Sequence, residues 1–152
     1  MIKKYIAQYH KKQFVLLTEN NIEIGRIVDI SKLFSIKHYI ILNSISYDIR
    51  NVGFLRNDLE LFNSKGVIYF TDLAKERIIK SGSDVRIYEF KLLKTNRLFE
   101  KDKLLIEIWE EKRWFKDSIF HVEAEDSVDD LLTLLFLHYS TKEFNSLGGN
   151  GE

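Results

Sequence analysis

The chain contains no cysteine and no proline. Without cysteine there is no disulfide scaffold, no thiolate zinc site and no thiol nucleophile. Without proline there is no polyproline or collagen-like segment. An excess of one charge is missing too: Lys+Arg and Asp+Glu number 23 each, for a formal net charge of +0. No global electrostatic reason then favours nucleic acid as a partner, and none is expected. Long apolar runs are also lacking. The most apolar window is Leu131 to Leu137 (LLTLLFL), far short of the ~20 residues a membrane-spanning helix needs. The basic N-terminal stretch leads into neither an apolar core nor a small-residue cleavage site, so it does not read as a secretory signal. These absences make a cytoplasmic location the expectation.

The residues that are present describe a folded chain. At 152 residues, with 45% hydrophobic and 13% aromatic content, it suffices for one domain with its own core. Ile occurs 18 times and Val 7, against 3 Ala. That balance favours a pleated, half-buried surface over helix and points to a mostly-β protein. Apolar alternation predicts strands at Gln13–Thr18, Ile22–Ile30, Ser35–Leu42, Ser44–Arg50, Asp58–Phe62, Val67–Thr71, Val85–Leu93, Arg97–Phe99, Lys103–Glu110 and Ile119–Glu123. Glu19-Asn20-Asn21, Asn43 and Asn63-Ser64-Lys65-Gly66 are turn signals. Gly25, inside a strand pattern, marks a bulge or a close approach of another group to the backbone. Leu73–Ser83 is the ambiguous stretch: LAKERIIK reads as a turn or two of helix that Ser81-Gly82-Ser83 ends quickly. A loose repeat with a spacing around ~40 residues sets Leu61-Phe62, NSKG, VIYF against Leu98-Phe99, EKDK, LLIEI. Successive hairpins of one sheet explain it more simply than duplicated binding sites.

The C-terminal segment breaks the strand pattern. Ser127 followed by Asp130 resembles a capping box, and Glu125, Asp126, Asp129 and Asp130 put negative charge near a helix N-terminus. A helix is predicted over about 127–141, apolar at 131, 132, 134, 135, 136 and 137 and therefore on every face. Such a helix is buried on every face. The expected architecture is an antiparallel barrel or strongly curled sheet around this helix, in a single domain 1–144 with a disordered tail 145–152. A helix held between the sheet and a partner protein is the alternative.

Three stretches carry a family likeness: IEIGRIVDI; the strands Tyr47-Asp48-Ile49-Arg50 and Tyr88-Glu89-Phe90-Lys91; and HVEAEDSVDDLLTLLFLHY. Together they resemble the tubby C-terminal-like barrels, a group that includes LURP-one-related proteins and phospholipid scramblases. The resemblance implies a closed antiparallel barrel around a hydrophobic C-terminal helix. The chain is short for that group, which implies fewer strands or an open barrel. No lipid-contacting residue carries over by position.

Motifs for chemistry are sparse. His10, His38, His121 and His138 form no metal-ligand spacing, and His138 fits a barrel-mouth position better than a ligand. There is no G-x-S-x-G elbow and no Gly-rich phosphate loop, and Asp129-Asp130 fit helix capping better than catalysis. No catalytic, cofactor-binding or metal-binding residue is expected, and no cofactor. Lys3, Lys4, Lys11 and Lys12, with Tyr5, Tyr9 and His10, form a basic-aromatic stretch suited to an anionic surface. The competing reading is an edge strand guarded by lysines. Trp109 and Trp114 flank a hairpin turn expected at Glu110-Glu111-Lys112-Arg113, as a packed cross-strand pair or, if exposed, as a partner-binding tip. The expected function is a non-enzymatic binding or scaffold module for anionic phospholipid headgroups or a protein partner. The alternative is a carrier of a small apolar ligand in the barrel cavity.

Overall fold

The structure, a computed structural model, describes residues 1–11, 13–33, 35–53 and 58–149, with side chains except at 31, 32, 35, 36 and 142–149. The β-branched composition resolves into twelve strands: β1 Ile2–His10, β2 Gln13–Thr18, β3 Glu23–Lys32, β4 Ser35–Leu42, β5 Ile45–Val52, β6 Asp58–Asn63, β7 Gly66–Asp72, β8 Arg77–Lys80, β9 Arg86–Lys91, β10 Thr95–Glu100, β11 Lys103–Arg113 and β12 Lys116–Glu125. Each pairs antiparallel with its neighbours in sequence, and β1 closes the ring against β12 with Tyr5 opposite Val122. The barrel is closed, not open. Closure also removes the lysine-guarded edge, because β1 has a partner on both sides. The hairpin repeat is the meander itself.

Local chemistry fixes the corners. Asn43 and Ser44, at φ 53° and 64°, make a two-residue connection between β4 and β5, the positive-φ turn that suits strand twist. Leu73–Ser83 settles mostly as wall: a 3-10 turn at Leu73–Lys75 stops at Glu76 (φ 53°), and β8 follows with Ile78 buried opposite Thr71. Gly25 meets both of its readings. The register slips beside it, from Leu16 opposite Gly25 to Leu17 opposite Glu23, which makes Ile24 the extra residue of a bulge. A Cβ on Gly25 would also stand 2.7 Å from the Ile41 carbonyl oxygen and 2.8 Å from Leu134 Cδ1. Glycine is there so that the wall can approach the helix.

That helix, α1 Asp130–Gly149, is buried at every residue from Leu131 to Thr141. Burial around a whole helical circumference requires cover on all sides, which the closed barrel supplies. Inward positions such as Ala7, Leu16, Ile27, Ile40, Leu98 and Val122 are buried in the same core, and Phe90 lies 6.5 Å from Phe136 and 5.2 Å from Tyr139. Each buried Leu or Phe stabilises the fold by roughly 1.5–3 kcal/mol.

The start of α1 corrects the capping expectation. Asp129, not Ser127, is the cap: its Oδ1 accepts from the Leu131 N–H at 3.0 Å and its carbonyl accepts the first helical bond, from Thr133. A turn from Glu125 to Val128 (2.9 Å) delays the helix, and Ser127 donates to Glu125 instead. At the other end α1 runs past Thr141 to Gly149, into the stretch read as tail; residues 150–152 lie outside the described residues.

Candidate functional site at the barrel mouth

The basic N-terminal stretch is divided between the two ends of the barrel. Lys3 points toward the start of α1, where its Nζ donates to the Val128 carbonyl at 2.6 Å and to Asp130 at 3.3 Å. Tyr5 donates to the same carboxylate at 3.0 Å. Burial first, and then Asp130, push the Tyr5 phenol well above its ordinary range. Lys103 and then Ser127 hold Glu125 below the usual carboxylate range at this end. Lys4 lies on the outer wall. Lys11 sits in the β1–β2 turn at φ 49°, eight strand residues beyond Lys3 and so roughly 26 Å away. Lys12 lies outside the described residues. Lys3 and Lys11 therefore do not share a surface.

The opposite end is built by an abrupt change along the inward-facing rows. In β3 the row reads Gly25, Ile27, Asp29, and in β4 Leu42, Ile40, His38. In β5 it passes from Ile49 to Asn51, in β11 from Ile108 to Glu110, and in β12 from Val122 through Phe120 to Ser118. Each of these rows turns polar toward this end, and His38 there packs on His138 of α1. With Tyr9, Phe14, Asp117, His138 and Thr141, these residues line a cavity of about 460 Å³.

Its geometry has two halves. His38 Nδ1 lies 2.5 Å from Asp29 Oδ1, and the His38 ring packs 4.9 Å from His138. On the adjoining strands, Phe14 is 4.9 Å from Tyr9 and 5.6 Å from Phe120, which gives a continuous aromatic wall. Burial first, then the charges of Asp29 and Asp117, raise the Tyr9 phenol. His138 is a mouth residue, as its sequence position suggested. Asp29, Asn51 and Glu110 were not singled out from sequence, and His38 only as one of four histidines, although the signal exists: each interrupts an inward alternation that is otherwise mostly apolar. Among the described residues, no group of three or more His, Asp or Glu is placed to hold a metal ion.

Beside the cavity is a more open concavity of about 690 Å³, lined by His10, Arg113, Phe115 and Lys116 and sharing Tyr9 and Asp117 with it. It lies under the β11–β12 hairpin, where the structure departs from the expected tryptophan pair. Glu110 to Arg113 is strand rather than turn. Trp109 instead stacks on outward-facing His121, at 5.3 Å and 13° between planes, while His121 Nε2 lies 3.2 Å from Glu111. The connection is Trp114-Phe115, 87% and 99% exposed, with the rings 6.0 Å apart. Phe115 has φ 60°, a conformation that costs an L-residue roughly 1–2 kcal/mol and that hairpins normally give to Asn, Asp or Gly. Arg113 closes the tip by donating to the Asp117 carbonyl at 3.0 and 2.8 Å. Lys112, Arg113 and Lys116 flank the two rings.

These features define a class: a closed antiparallel barrel sealed around a C-terminal helix at one end and hollowed at the other. No family model matches the chain, and no curated protein matches it. The chain is similar to a crystal structure of a protein from Arabidopsis thaliana, with TM-score 0.61 and 10% identity, covering 93% of this chain and 90% of that one. At that identity the likeness establishes a shared barrel fold. No helix among the described residues is long and apolar enough to cross a membrane.

Proposed function

We propose that the chain is a tubby-like barrel acting as a non-enzymatic cytoplasmic binding module, and that it docks on anionic phospholipid surfaces with its mouth end. The Trp114-Phe115 tip carries this reading. Two large rings stand in water at a strained turn, so folding gains little from them. Tryptophan suits the bilayer interface, and each nearby cation adds about 1 kcal/mol at an anionic surface. Lys112, Arg113 and Lys116 provide that charge beside the rings, and His10 of the adjacent strand lines the same concavity. The tubby-like reading is supported by the sequence resemblance and by the barrel shared with the Arabidopsis structure.

The lysine contribution shifts accordingly. Lys3 serves Asp130, whereas Lys11 lies toward the docking end. The apolar-carrier alternative is disfavoured, because α1 fills the barrel and the remaining cavity is edged by carboxylates and histidines. Co-sedimentation with anionic vesicles at low and raised salt tests the docking. Wild-type binding should fall with salt. It should be lost in Trp114→Ala/Phe115→Ala, weakened in Lys112→Gln/Lys116→Gln, and kept in Lys4→Gln. Wild-type protein that ignores anionic vesicles would leave a protein partner as the occupant of the tip.

A further inference from the structure

The mouth cavity is chemically unlike the rim around it. Three carboxylates, Asp29, Glu110 and Asp117, line it, with no Lys or Arg among the described lining residues. Asp29 is matched by His38. Glu110 and Asp117 have no ion-pair partner among the described residues. Unpaired carboxylates in a half-enclosed hollow favour a cation. A bare metal ion does not fit, since no cluster of ligands converges among the described residues and the volume is that of a small-molecule site. The wall of Tyr9, Phe14 and Phe120 narrows the class further. Aromatic faces backed by carboxylates recognise weakly hydrated organic ammonium groups.

The neighbouring concavity adds the second half of a ligand. It presents Arg113 and Lys116 and meets the cavity at Tyr9 and Asp117. Negative and positive subsites therefore share a boundary. We propose that the mouth binds a zwitterionic phosphoamine of the phosphocholine or phosphoethanolamine type, with its ammonium in the cavity and its phosphate on the basic concavity. A lipid headgroup as the source rests on the docking reading above; the ammonium site does not.

The test titrates the full chain, by NMR, with choline, phosphocholine and inorganic phosphate separately. Choline and phosphocholine should each give saturable shifts at the mouth, with phosphocholine the tighter, and phosphate alone should not displace choline. Glu110→Gln/Asp117→Asn should weaken choline roughly tenfold or more, as expected from removing two charges at contact distance. Neither residue is buried, so the circular dichroism spectrum of the double variant should match the wild type. An absence of saturable choline shifts, unchanged choline binding in the double variant, or displacement of choline by phosphate would each overturn the proposal. Anionic vesicles that also contain phosphatidylcholine supply the other arm. Choline binding with no binding of these vesicles assigns the ligand as a free phosphoamine and counts against the docking reading alone. Vesicle docking with no choline binding overturns the cavity and leaves the docking standing.

Discussion

At the end where α1 begins, the charges have partners: Lys3 with Asp130 and the Val128 carbonyl, Lys103 with Glu125, and Asp129 with the first turn of the helix. At the mouth, Glu110 and Asp117 have no such ion pairs among the described residues, and Trp114 and Phe115 project into water. The same strands supply both ends. Val122 and Ile108 lie deep in the core, and the same two rows end on Ser118 and Glu110. A closed barrel has no edge to defend, so specificity is concentrated at its ends. Here one end is satisfied internally, which is what stability requires. The other keeps unmet polar and apolar groups, which is what binding requires.

The largest expected effect tests whether the sealed portion is structural. Leu134→Asp places an unpaired charge at a fully buried position and should abolish cooperative thermal unfolding. Deleting residues 127–144 should do the same, by circular dichroism and melting. A truncated chain that stays folded and takes up an apolar dye would make α1 a removable plug and restore the carrier reading.

A middle-sized effect belongs to the satisfied end. Lys3→Met strands part of the Asp130 and Val128 acceptors and should cost about 1–2 kcal/mol, discounted for the partial exposure of the pair. Asp129→Ala, which removes the helix cap, should cost about 1 kcal/mol. Neither should alter vesicle binding. A loss of docking in Lys3→Met with an intact fold would mean that the sealed end is functional as well.

The smallest effect on stability has the opposite sign. Phe115→Asn relieves the positive-φ turn and should stabilise the chain by up to about 1 kcal/mol while weakening vesicle binding. A destabilised Phe115→Asn would show that the ring has a packing role and that the tip is not held for binding.

Much of this architecture is legible in local pattern. The strands with clean alternation, the turns at Asn43 and Gly66, and the all-round apolar helix follow from period and turn chemistry, and the structure contains each of them. The departures come where a distant contact decides. Arg77–Lys80 is strand because β7 and β9 hold it on both sides. Ser127 fails as the cap because a turn places Asp129 nearer the helix. The mouth was the least legible part. Asp29 and His38 face each other across the β3–β4 hairpin, but Glu110 comes from β11, and only barrel closure turns all three toward one hollow. The exposed tip is half legible: its tryptophan stands out, but a two-residue connection of Trp and Phe runs against the turn preference for Asn, Asp and Gly.

Docking by the mouth end is the central claim, and Trp114 can report on it directly. With Trp109→Phe leaving Trp114 as the sole tryptophan, its emission should start at the long wavelength of an indole in water. Addition of anionic vesicles should shift that emission to the blue, and brominated lipid tails should quench it. An emission that stays at the water position at saturating anionic lipid would contradict docking through this end of the barrel.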